Sequence, residues 1–149
     1  MRAPLFIIFL LFTSISSYKI LVYIPKFAIS HINFLGKIAD TLVEAGHNVT
    51  ALVSEIDAKL PDGTSKSQIV RIPSAEGSDH MNTNFMVGET DMFEIDSDSY
   101  SSSMENARHN AVSFCRQCRK LLTTPGLIDL LKEEKYDALI TENFDNCGV

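Results

Sequence analysis

The stretch YKILVYIPKFAISHINFLGKIADTLVEAGHNVTALV (residues 18–53) decides the fold. Its first segment, Lys19 to Ile24, is apolar at every position after the lysine, the composition of a parallel strand covered on both faces. Pro25 ends that strand in this reading. Ser30 then offers an N-cap hydroxyl to the orphan amides of a helix. Ile32, Leu35, Ile38, Ala39, Leu42 and Val43 recur at three-and-four spacing, the stripe of a helix that faces a sheet. Gly46 supplies the left-handed residue that closes it, and a second apolar strand, Val49 to Val53, follows at once. Two strands joined through a single helix make a β-α-β unit, with the strands parallel.

One side chain in this unit carries chemistry. His31 stands at the amino end of the helix, just past the carboxyl edge of the first strand, which is where open α/β sheets bind ligands. The helix dipole opposes protonation there, and an unperturbed imidazole titrates near neutrality, so His31 is a candidate general base. Position alone leaves a second reading open, in which a polar helix start simply carries a histidine.

Working downstream, a shorter strand from Gln68 to Ile72 stops at Pro73. Residues 74–103 are acidic and aperiodic and end in DSDSYSSS (96–103), a surface excursion, with a binding lid as the other reading. Periodicity returns with Met104, Ala107, Ala111, Phe114, Cys118, Leu121 and Leu122. Thr124-Pro125 reads as the cap and first residue of another helix, with Leu127, Ile128, Leu130 and Leu131 facing inward. A fourth strand, Ala138 to Thr141, comes next, and Glu142 follows it, again at a carboxyl edge. If the first and fourth strands are neighbours, as a doubly wound order allows, Glu142 accepts the Nδ1 hydrogen of His31. The other ring nitrogen then takes a proton from a bound hydroxyl.

Upstream, Arg2, the apolar run Pro4 to Phe12 and the small residues Ser14, Ser16 and Ser17 have the pattern of a secretory signal peptide, cleaved after Ser16 or Ser17. The run is short for a membrane span, and an uncleaved anchor is the other reading. Residues 1–17 are set apart on this ground, and 18–149 suffice for one domain with a core. No later segment is apolar and long enough to cross a bilayer. The chain carries a net charge of −6 and no basic stripe, which argues against nucleic acid as a partner.

The remaining motifs are weaker. Cys115, Cys118 and Cys147 are the three cysteines, too few and too odd a number for a disulfide framework. Cys115-Arg-Gln-Cys118 has redox spacing but falls inside a helix pattern instead of opening a helix after a strand. Cys118 fits the apolar stripe as a buried structural cysteine. A zinc set of His109, Cys115 and Cys118 wants a fourth ligand. His47 sits in a helix-to-strand turn, and His80 and His109 carry no spacing signal. Asn48-Val49-Thr50 is a glycosylation sequon at a strand entrance.

Taken together, Ser30-His31, the helix end LVEAGHNVT (42–50) and the block YDALITENFDNCG (136–148) resemble the amino-terminal half of a UDP-glucuronosyltransferase of the nematode type, in the UDP-glycosyltransferase family. Leu121 to Lys135 is similar to the family's approach to its fourth strand. The resemblance covers the chain from the signal segment to Val149 and is weakest over 74–103. It implies a two-domain GT-B fold of which this is the incomplete amino-terminal domain, an α/β, Rossmann-like parallel sheet with helices on both faces. It implies that His31 deprotonates an acceptor hydroxyl for in-line displacement of UDP at the anomeric carbon, with inversion. The family's partner acid is usually an aspartate; Glu142 stands in that place, and Asp145 is the neighbouring alternative.

An apolar acceptor cleft around His31 is expected from Phe27, Ser30, Ile32 and Phe34. The resemblance further implies a small lipophilic alcohol or phenol as acceptor, UDP-glucuronate as co-substrate and no cofactor or metal. It places the protein in the endoplasmic reticulum, held to the membrane by a carboxyl-terminal helix, with homo- or hetero-oligomers as its protein partners. The donor signature and that helix are expected beyond Val149, so the chain alone is expected to be inactive and the full-length protein a transferase. Two readings from other classes stay open: a truncated, non-catalytic lumenal module that binds small apolar ligands or a full-length homologue, and a thiol-redox protein.

Overall fold

The structure is a computed structural model that describes residues 16–76, 100–143 and 147, without side chains at 100–103, 105, 106 and 109. Most of the expected signal segment and of the acidic stretch, His80 and Asp145 lie outside the described residues, as does the side chain of His109. The elements run β1 (Lys19–Lys26), α1 (Ile29–Glu44), β2 (Asn48–Glu55), β3 (Gln68–Ile72), α2 (Tyr100–Thr123), α3 (Leu127–Glu134) and β4 (Ala138–Ile140). Among the described residues no helix is long and apolar enough to cross a membrane.

The strands form one parallel sheet in the order β3-β2-β1-β4. The chain winds outward from β1 through β2 to β3, then returns to place β4 on the other side of β1. Alternate residues of β1 therefore serve opposite faces of a buried sheet. Ile20, Val22 and Ile24, with Val49, Ala51 and Val53 of β2, pack against Ile32, Leu35 and Ala39 of α1. Leu21 and Tyr23, with Leu52 and Ile72, pack against Leu121 of α2 and Leu127 of α3. Helices on both faces of a parallel sheet make this the α/β, Rossmann-like domain that the strand composition implies.

Several local expectations are corrected. Pro25 does not end β1: it lies in register with Ser54, and the strand runs on to Lys26. Pairing with β4 reaches only as far as Val22, so the N–H that proline lacks is not one that β4 needs. Ser30 is not the N-cap of α1. Ala28 holds that place in an extended conformation without a side-chain cap, and its carbonyl accepts the Ile32 N–H at 3.1 Å. Burial of Phe27 and Ala28 turns the chain before the serine is reached.

The far end of α1 closes as expected. Gly46 sits at φ +90°, and the N–H groups of Gly46 and His47 donate to the carbonyls of Val43 and Leu42, the paired bonds of a Schellman motif. At α3 the N-cap is left-handed Gly126, not Thr124. The Thr124 hydroxyl instead donates to the Lys120 carbonyl at 2.8 Å and closes α2. The apolar stripe of α2 is only partly buried: Ser113, Gln117 and Leu121 face inward, while Met104 and Leu122 are exposed. Leu130 of α3 is likewise exposed.

Candidate functional site

Because β1 and β4 are parallel neighbours, the segments that follow them emerge at the same edge of the sheet, at the point where the winding reverses. Phe27 and Ala28 carry the chain from β1 into α1, and His31 is the third helical residue. Glu142 comes two residues after the end of β4. The Glu142 carboxylate oxygen Oε2 accepts a hydrogen bond from Nδ1 of His31. With hydrogen on Nδ1, the lone pair lies on Nε2. The two side chains are 27% and 22% exposed, which leaves the pair within reach of a ligand but shielded from much of the solvent.

Beneath the imidazole lies an aromatic floor. The ring of Phe27, fully buried, sits 4.7 Å from that of His31 at a tilt of 38°. Phe114 of α2 meets Phe27 edge-on at 5.1 Å, and Ala28 and Ile56 complete the cluster. One face of the imidazole is thus apolar and one nitrogen is held by a carboxylate, the arrangement that fixes a histidine's tautomer and ring plane.

The other residues singled out in the sequence take different places. Phe27 supports His31 from below. Ser30 is exposed beside it. Ile32 is fully buried in the core between α1 and the sheet, so it holds the helix down and does not line the crevice. Phe34, one turn along the helix from His31, is 57% exposed. Asn48 is exposed at the start of β2, on the amino edge of the sheet and away from His31.

Two features escaped the sequence reading. Lys26 is buried at the end of β1, its Nζ 3.4 Å from Glu55 and 3.3 Å from Asp62. Arg71 takes the other oxygen of Asp62. That bond from Arg71 holds the Asp62 carboxyl below its ordinary range, against the effect of burial and with help from Lys26. The one available signal was a lysine closing an otherwise apolar strand.

The second feature is a disulfide between Cys118 of α2 and Cys147, with Cα atoms 5.3 Å apart. Cys118 is therefore not a free buried thiol, and Cys147 finds its partner within this chain. The bond also removes Cys118 from the zinc set with His109 and Cys115. Cys115 is exposed and free. Nothing in an odd set of three cysteines tells which two pair.

Compared with known proteins, residues 18–149 match the family described as "UDP-glucoronosyl and UDP-glucosyl transferase". The chain is 33% identical over 139 residues to a Caenorhabditis elegans protein named as UDP-glucuronosyltransferase ugt-47, covering 89% of this chain and 25% of that one. It is 30% identical over 148 residues to UDP-glucuronosyltransferase 1A6 of Mus musculus, covering 97% and 27%. To UDP-glucuronosyltransferase 3A1 of Homo sapiens it is 30% identical over 129 residues, covering 80% and 23%. The chain spans about a quarter of the length of these relatives. No solved structure matches it.

Proposed function

Since the chain belongs to the family of UDP-glucuronosyl and UDP-glucosyl transferases, we propose that it carries the acceptor site and the general base of an inverting sugar transfer. The observation that supports this reading is the Glu142 carboxylate on Nδ1 of His31, at the edge where α/β sheets bind ligands. Nε2 of His31 takes the proton from an acceptor hydroxyl as its oxygen attacks the anomeric carbon of the UDP-sugar. The bond from that carbon to the UDP oxygen breaks, and UDP leaves with the electron pair. Glu142 holds the imidazole in the tautomer that can accept the proton and stabilises the imidazolium that results. A positioned base of this kind supplies about 10²–10⁴-fold in rate.

The acceptor is a small lipophilic alcohol or phenol, and exposed Phe34 beside His31 suits such a ligand. The donor is UDP-glucuronate in this reading, and the 149-residue chain, which spans about a quarter of its relatives' length, is read as inactive by itself. The reading places the protein in the lumen of the endoplasmic reticulum, with exposed Asn48 as its glycan acceptor.

The test is a transferase assay on the full-length product with labelled UDP-glucuronate and UDP-glucose and a panel of phenols, beside His31→Ala. Transfer by the wild type and its loss in a variant that still binds acceptor supports the reading and identifies the sugar. Acceptor binding without transfer from any UDP-sugar overturns it in favour of a non-catalytic binding module.

A further inference from the structure

His31 and Glu142 must be kept together to act as a working pair, the proposed function on which this inference rests. Neither residue is held firmly by its own element. His31 lies in the first turn of a helix whose N-cap contributes no side-chain bond. Glu142 lies beyond a three-residue strand that pairs with β1 only through Ala138, Leu139 and Ile140. A carboxylate at the end of so short a strand needs a second anchor to stay within reach of a ring on another element.

That anchor is α2, one face of which holds a neighbour of each half of the pair. Phe114 packs edge-on against Phe27, which lies under the His31 ring. One turn further on, Cys118 is bonded to Cys147, five residues beyond Glu142. The segment that carries Glu142 is thereby tied at one end by the β1–β4 pairing and at the other by the disulfide.

The same face of α2 is itself fixed to the sheet. Gln117 is fully buried, accepting the Ala75 N–H at 2.7 Å and donating to the Pro73 carbonyl at 3.3 Å. Leu121 is buried in the core with Leu21 and Tyr23. Residues 114, 117, 118 and 121 follow the three-and-four spacing of one helix face. Two of them grip the sheet and its flanking chain, and the other two grip Phe27 and Cys147, the neighbours of the pair.

We propose that α2 is the positioning element of the His31–Glu142 pair, with the Cys118–Cys147 disulfide setting the reach of the carboxylate and Phe114, through Phe27, setting the plane of the imidazole. These are positioning residues: none of them touches a reacting atom. Opening the disulfide releases one end of the Glu142 segment and leaves His31 without its fixed acceptor, while Cys147 packs on the opposite face of the sheet from the α1 core.

The experiment reads the tautomer of His31 from its ring nitrogen resonances in the 149-residue chain labelled with 15N-histidine, assigned by the signal lost in His31→Gln. The wild type is expected to show hydrogen on Nδ1 and none on Nε2 when the ring is neutral. Glu142→Ala tests the pair itself: an unchanged signature in this variant overturns the pairing, whatever α2 does. With the pairing upheld, Cys118→Ser with Cys147→Ser, and separately Phe114→Leu, are expected to move the signature toward that of Glu142→Ala while the backbone amide signals of β1 and β2 stay dispersed. An unchanged His31 signature in these variants overturns the positioning role and leaves the pair standing. Should the double serine variant fail to fold, the wild type is opened with a phosphine and followed by the same signals. Collapse of the β1 and β2 signals there as well marks the disulfide as a stability element only, and also overturns the proposal.

Discussion

The imidazole of His31 and the carboxylate of Glu142 are 111 residues apart in sequence and share one hydrogen bond, made where the sheet reverses its winding between β1 and β4. Two strand ends deliver them to the same edge because the strands are parallel neighbours. The aromatic floor of Phe27 and Phe114 lies beneath the imidazole.

Ile32 and Phe34 stand two residues apart on α1 and should respond oppositely to truncation. Ile32→Ala removes a fully buried side chain from the core against the sheet and is expected to cost about 2–4 kcal/mol. Phe34→Ala, at an exposed position, should change stability by less than about 0.5 kcal/mol. If the proposed function holds, it should raise KM for the acceptor in the full-length protein and leave the core intact. Urea unfolding of both variants, with acceptor kinetics for the second, checks the contrast.

Asp40 on α1 binds the loop that follows β2. Burial alone would raise its carboxyl, but hydrogen bonds from the Thr64 hydroxyl, the N–H groups of Lys66 and Ser65 and the Ser65 hydroxyl outweigh it and hold the group down at about 2. A depressed carboxyl contributes stability that is complete above its ordinary value of 3.8 and disappears as the pH falls through about 2. Asp40→Asn is therefore expected to be less stable than wild type by about 1–2 kcal/mol near neutrality. The gap should hold down to about pH 5 and close between about pH 4 and 2. Urea midpoints measured across that range give the result directly.

Lys26 is a buried cation at the carboxyl edge, between Glu55 and Asp62. Lys26→Met keeps the apolar stem and removes the charge, leaving Glu55 without this partner and Asp62 with Arg71 alone. A loss of about 1–3 kcal/mol is expected, less than for a fully buried pair because both carboxylates keep some contact with solvent. A lower urea midpoint with an unchanged slope would confirm a loss of native-state stability.

The β1-α1-β2 unit was legible because its signals are local: an apolar strand, a three-and-four stripe and a glycine at φ +90°. Strand order is not local. No residue of β4 announces β1 as its neighbour, so the meeting of His31 with Glu142 stood as a condition until the sheet was seen. Ser30 misled because a capping hydroxyl is worth only about 1 kcal/mol, and burial of Phe27 and Ala28 outweighs it. Ile32 was set beside Phe34 in a cleft because sequence proximity to His31 ignores the rotation of about 100° per residue that points it into the core. The disulfide joins residues separated by 29 positions, and the lysine cluster at the end of β1 draws on the end of β2, the loop after it and β3; both need the tertiary arrangement before they can be read.

The most direct test of the account is the rate of sugar transfer by full-length His31→Ala, relative to wild type, across acceptors of graded hydroxyl acidity. A base is needed most where the hydroxyl holds its proton most tightly. If His31 removes that proton, the loss should approach about 10⁴-fold for alkyl alcohols and shrink steadily toward the most acidic phenols. An equal loss for every acceptor would contradict the account, because His31 would then be serving binding or structure and not proton transfer.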